Sequence, residues 1–273
     1  KRQNLQSTHL NLPFKGDKEF GQLHAAIRLV LPLLPALAAS SPILDGRCSG
    51  LLDNRLRAYQ QNQQKIEILT GSIIPEAVFT RKDYEQKILQ PIYRAIEPFD
   101  PDGILQYEWL NSRGAIARFD RNAIEIRLLD VQECPAADLA IIELICAVLK
   151  ALVDEHWCSY ADQKSWSEAV LAKWLLAAVG DGERTLIDDP RYLSLFGLAG
   201  QKATMGELWQ HLAATLRPKL VAQSGLPLEV VLNKGPLARR IISSTGTSPS
   251  RKQLGETYAR LCDCLARGEM YDG

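Results

Sequence analysis

A chain of 273 residues with 46% hydrophobic and 23% charged residues has enough apolar surface to bury a sizeable core, which excludes bulk disorder. Lys plus Arg and Asp plus Glu each total 32, so no net field draws the molecule to nucleic acid or an anionic membrane, and any phosphate binding has to be local. The six cysteines, at 48, 134, 146, 158, 262 and 264, show no C-x-x-C spacing and read as reduced thiols of a cytoplasmic protein, not as a disulfide framework or a zinc site.

Residues 7–14 (STHLNLPF) alternate, with Thr8, Leu10, Leu12 and Phe14 on one side and Ser7, His9 and Asn11 on the other, as a half-buried strand does. From Asp17 onward, Phe20, Leu23, Ile27, Val30, Leu31 and Leu34 recur at three- and four-residue steps, which predicts an amphipathic helix bent by Pro32 and Pro35 and ended at Ser40-Ser41-Pro42. Residues 45–64 open with Gly46 and Gly50 and continue as a polar helix carrying Arg55 and Arg57. Such a glycine turn can bring backbone N–H groups up to an anion, but an ordinary turn needing positive φ explains it equally well. A loop at 70–75 precedes a helix over 82–96, and the strongest hairpin joins 115–119 to 123–130 through a turn at 120–122.

From Ala136 the pattern is helical, over 136–156, 164–179, 203–216, 227–242 and 250–267, with loops at 180–182 and 243–250. The longest apolar stretch, 139–153, is interrupted by Glu143 and Lys150 and is shorter than the ~20 residues of a membrane span, so it reads as a core helix. Cys262 and Cys264 fall on the last helix about 200° apart, which argues against joint metal ligation. The expectation is one α+β domain over 1–273, a few strands early and a helical C-terminal half packed on them.

Alternation over 123–130 puts Ile124, Ile126 and Leu128 on an apolar face and projects Glu125 and Arg127 together from the other. If the first strand shares that sheet, His9 and Asn11 join them. Imidazole and carboxylate can ligate Mg²⁺ or Mn²⁺ while Arg offers a planar fork to phosphate. The plainer reading is a solvated strand face on which Glu125 and Arg127 pair with each other. No Ser–His–Asp or Cys–His nucleophile constellation is evident.

The order Ser7-Thr8-His9-Leu10-Asn11-Leu12, a long helix ending in Ser41-Pro42, then Gly46, Gly50 and Arg55, and finally Ile124-Glu125-Ile126-Arg127-Leu128-Leu129-Asp130 resembles the glutamate–cysteine ligase family, in particular its second type and the carboxylate–amine ligase branch. The resemblance implies a glutamine-synthetase-like antiparallel sheet curved around an active site, and ATP-dependent joining of a carboxylate, typically the γ-carboxylate of glutamate, to an amine through an acyl phosphate. It implies ATP and Mg²⁺ (or Mn²⁺) as cofactors, His9 and Glu125 as metal ligands, Arg127 as a phosphate-binding catalytic residue, Asn11 as its neighbour on the nucleotide side, and Arg55 as a residue for substrate carboxylate or phosphate. Partners would be small amino-acid substrates and ATP, with no nucleic acid or membrane, and self-association is left open.

The family's pattern also has an acidic, metal-binding segment upstream of the first strand. This chain begins with Lys1 and contains no such segment, so the expectation is either the C-terminal portion of a longer enzyme or a degenerate relative. A noncatalytic scaffold that kept the fold is the competing class. A metal-dependent hydrolase is less favoured, since the paired carboxylates or second His it would need are missing.

Overall fold

The computed structural model describes residues 6–273. The first strand, β1 (Ser7–Pro13), ends at a proline, tolerable because the strand lies at a sheet edge. The chain then enters α1 (Gly16–Val30), continues through a tight 3-10 turn at Leu31–Leu33 and reaches α2 (Pro35–Ala38). Pro32 and Pro35 lack the N–H groups that would extend α1, which gives the expected bend.

The stretch over 45–64 departs from the expected glycine turn and long polar helix. β2 (Ile43–Leu44) and β3 (Arg47–Cys48) form a small hairpin. Its turn residues, Asp45 and Gly46, have φ of 50° and 75°, consecutive positive values of the kind a two-residue hairpin turn demands. The helix α3 (Asn54–Gln61) starts only where the Asp53 carboxylate accepts from the Leu56 N–H at 2.6 Å. Next come α4 (Arg81–Tyr84) and α5 (Gln90–Ile96), joined by a π-helical turn. Pro91 has no N–H to close a normal turn just beyond it.

The predicted hairpin is present as β4 (Ala115–Arg118) and β5 (Ala123–Asp130), and β5 is the central strand of an antiparallel sheet in the order β1-β5-β4. The β1–β5 register jumps from Thr8 opposite Leu129 to Leu10 opposite Ile126, so Arg127 and Leu128 together stand across from His9. This β-bulge breaks the strict alternation expected for residues 123–130.

The C-terminal half comprises α6 (Pro135–Val153), α7 (Tyr160–Lys164), α8 (Glu168–Asp181), β6 (Leu186–Ile187), α9 (Pro190–Ser194), β7 (Ala203–Thr204), α10 (Met205–Leu216), α11 (Gly225–Lys234), α12 (Leu237–Thr245) and α13 (Arg251–Arg267). Two expected helices are split. The one over 164–179 breaks so that Ser167 caps α8, and the one over 227–242 breaks at Gly235 (φ 83°) followed by Pro236. Leu10, Ile124, Ile126 and Leu128 join α1, α6, α8 and α10 in one large apolar cluster, leaving the opposite sheet face for polar side chains. The result is mixed helix and antiparallel sheet, and no helix among the described residues is long and apolar enough to cross a membrane.

Candidate functional site

Glu125 is the hub of the polar sheet face. Its Oε1 lies 3.0 Å from His9 Nδ1 and accepts from Arg127 Nε at 2.7 Å, and its Oε2 lies 3.7 Å from Arg118. At 6% exposure it is not part of a solvated face. The hydrogen bond from His9 and the neighbouring Arg127 hold its carboxyl down at about 2, against burial, which pulls the other way. His9 Nε2 meets Ser7 Oγ at 3.0 Å. If the ring carries its proton on Nδ1, Nε2 accepts from the Ser7 hydroxyl, and Glu125 orients the ring.

Asn11 stands directly across from Glu125 in the ladder but is exposed. Arg118, which the motif reading did not single out, also pairs with Asp120 at 3.0 Å and Glu108 at 3.6 Å. Burial and the neighbouring Asp120 push the Glu108 carboxyl up to about 6.

A second cluster lies beneath. Arg55, 6% exposed, donates through Nε to Asp130 and through Nη1 to the Arg127 carbonyl at 3.3 Å. Its Nη2 is buried with no partner among the described residues. Asp130 Oδ2 accepts from the Ser40 N–H at 2.9 Å and from the Ser41 hydroxyl at 2.8 Å. Asp53, also buried, is pushed up to about 8 by burial and then by the nearby Asp130, so it carries its proton at neutral pH. Strict alternation would have placed Asp130 on the apolar side with Ile124 and Ile126. The bulge resets the phase and brings it to the guanidinium that touches Arg127.

Both clusters open on a cavity of about 260 Å³ whose wall includes His9, Arg55 and Arg127 together with Tyr59, Trp109 and Ser112. Three of the residues chosen from the sequence therefore share one cavity, Glu125 lies behind two of them, and the wall does not include Asn11. Tyr59 sits on α3 and Trp109 in a single 3-10 turn, Glu108–Leu110, where no sequence periodicity marked them. The volume is below the ~300–1,000 Å³ of drug-sized ligand sites, so the cavity suits the charged end of a ligand rather than a whole nucleotide.

His9 Nδ1 and Glu125 Oε1 are 3.0 Å apart, a spacing two neighbouring ligands of an octahedral ion can have, but Nδ1 already donates to that oxygen and Arg127 engages it as well. Among the described residues no group of three or more His, Cys, Asp or Glu side chains could hold a metal. The residues present offer one edge of a coordination shell and do not by themselves fit Mg²⁺ or Mn²⁺.

The sequence profile of glutamate–cysteine ligase family 2 matches residues 5–252. An uncharacterized protein of Archaeoglobus fulgidus is 40% identical over 268 residues, covering 98% of this chain and 65% of the relative. The chain thus spans less than two thirds of that relative's length.

Proposed function

The chain belongs to glutamate–cysteine ligase family 2, and from that premise we propose that it serves an ATP-dependent carboxylate–amine ligase, γ-glutamyl in type, that works through an acyl phosphate. The observation that carries the reading is the cavity wall: Arg127 and Arg55 stand together on it, and Arg55 keeps one buried nitrogen without a partner. A buried N–H left unpaired costs about 1–3 kcal/mol, a cost removed only by an anion that reaches it. No nucleophilic side chain is required. A substrate carboxylate oxygen attacks the γ-phosphorus and ADP leaves. The amine then attacks the acyl carbon, and phosphate departs with the carboxylate's oxygen.

In this reading Arg127 faces phosphate oxygens and Arg55 an anionic end of the substrates, both contributing by alignment and charge neutralisation. ATP, a divalent cation, a cytoplasmic location and a glutamine-synthetase-like curvature of the sheet belong to the proposal. The test is isotopic, on the protein expressed from its natural gene. With glutamate and cysteine as the first pair, ¹⁸O from labelled carboxylate should enter inorganic phosphate. Release of AMP and pyrophosphate would replace the acyl phosphate with an adenylate.

One observation favours a second reading, a noncatalytic scaffold that kept the fold: Arg127 already spends its Nε on Glu125 at 2.7 Å. Calorimetric titration separates the two. Mg²⁺-dependent ATP binding supports the ligase, and its absence supports the scaffold.

A further inference from the structure

We infer that Asp130 is a positioning residue, which fixes the Arg55 guanidinium at the cavity wall so that an anionic group, a carboxylate or a phosphate, meets a donor already in place. The inference rests on the ligase reading and adds a role that the cavity wall alone does not reveal, because Asp130 itself is not part of that wall.

Asp130 is 2% exposed and both its oxygens are committed. Oδ1 takes Arg55 Nε, while Oδ2 takes the Ser40 N–H and the Ser41 hydroxyl. Ser41 Oγ in turn accepts the backbone N–H of Arg55 at 3.1 Å, so the same serine–aspartate pair ties down both the backbone and the side chain of Arg55. The Arg127 carbonyl holds a second nitrogen at 3.3 Å. What remains is Nη2, buried and unpaired among the described residues, on a guanidinium held by two hydrogen bonds and anchored through its own backbone before any ligand arrives, so little side-chain entropy is left to lose on binding.

The charge balance agrees. A second carboxylate beside Arg55 would cancel the attraction for an anion, but Asp53 is held protonated by burial and by Asp130. One guanidinium then faces one carboxylate, and the cavity wall is not net negative.

The test uses the protein expressed from its natural gene and the variants Asp130→Asn, Arg55→Lys and the double variant, with KM, kcat and melting temperature measured for each. Asp130→Asn should raise KM at least about tenfold for one anion while kcat falls less. An effect on the amino-acid carboxylate assigns Arg55 to the acid, and an effect on ATP assigns it to phosphate. In the Arg55→Lys background the same substitution should change KM by less than about twofold, since the fork it aims is gone.

Equal KM effects in both backgrounds, or a lowered melting temperature with KM unchanged, overturn the inference and leave a structural ion pair. If Asp130→Asn does not fold, Ser41→Ala removes one hydrogen bond from the same carboxylate and should shift the same KM by about two- to fivefold, and an unchanged KM overturns the inference. If the parent forms no amide, the ligase reading fails on its own. Calorimetry with glutamate and with inorganic phosphate then decides the inference: binding that weakens in Asp130→Asn sustains it, and binding that is absent or unaltered overturns it.

Discussion

Replacing Glu125 by Gln keeps the side chain's shape and removes the charge on which His9, Arg127 and Arg118 converge. The folded carboxyl is held at about 2 against an ordinary value of 4.5, a difference of ~2.5 units at ~1.36 kcal/mol each, or about 3 kcal/mol. Glu125's side chain is 9% exposed and its His9 partner 41%, so water screens part of this, and about 2 kcal/mol is the expected loss near neutrality.

Because the folded pKa is depressed, this stabilisation is fully present above 4.5 and disappears as the pH falls toward about 2. Urea unfolding of the parent and of Glu125→Gln should therefore give curves separated by about 2 kcal/mol at neutral pH that converge as the medium is acidified. A separation that stays constant with pH, or a variant as stable as its parent at neutral pH, would show that the Arg127 and Arg118 guanidinium groups are not balanced by this charge. In the ligase reading the same variant also loses most Mg²⁺-dependent turnover while remaining folded, and unchanged kinetics would remove Glu125 from the reaction.

A Cβ built on Gly114 would lie 2.8 Å from Leu128 Cδ1 and 3.1 Å from Ile73 Cγ2, so Gly114→Ala should cost about 1–3 kcal/mol in urea unfolding by overpacking beneath β5. An unchanged midpoint would mean that Leu128 moves aside freely. For Asp53 the folded pKa is raised from 3.8 to about 8, so the native state loses stability across that interval as the unfolded chain ionises and the folded one does not. Asp53→Asn keeps an oxygen for the Leu56 N–H, and its stability relative to the parent should grow from pH 4 to about 8, by at least about 1 kcal/mol. A difference that does not vary with pH over that range contradicts the assignment of a proton to Asp53.

Strand parity made His9, Glu125 and Arg127 legible, because a two-residue period fixes which side chains share a face, and the structure brings all three within hydrogen-bond range of one another through Glu125. The helix over α1 and the β4–β5 hairpin were legible for the same reason: long apolar patterns and turn residues leave little choice. Asp130 was not, since one extra residue at the bulge inverts parity and nothing in the composition of Arg127-Leu128-Leu129-Asp130 announces a bulge. The β2–β3 hairpin escaped because two-residue strands have no period, and the breaks at Ser167 and Gly235-Pro236 show capping overriding a continuous apolar pattern. Tyr59 and Trp109 reach the cavity through tertiary placement alone.

The strand order β1-β5-β4 also sets a timetable. β4 meets β5 across a short turn, whereas every β1–β5 pair joins residues more than a hundred positions apart. Closing the longer loop costs about 3 kcal/mol more in chain entropy, so the hairpin can zip within ~1–10 μs while β1 waits for the intervening helices to collapse. Glu125 and Arg127 are then neighbours early in folding, and His9 completes their cluster late. In pulse-labelled hydrogen exchange, amides of β5 that bond to β4 should gain protection before those of Leu10 and Leu12, and simultaneous protection would mean that the sheet forms in a single step.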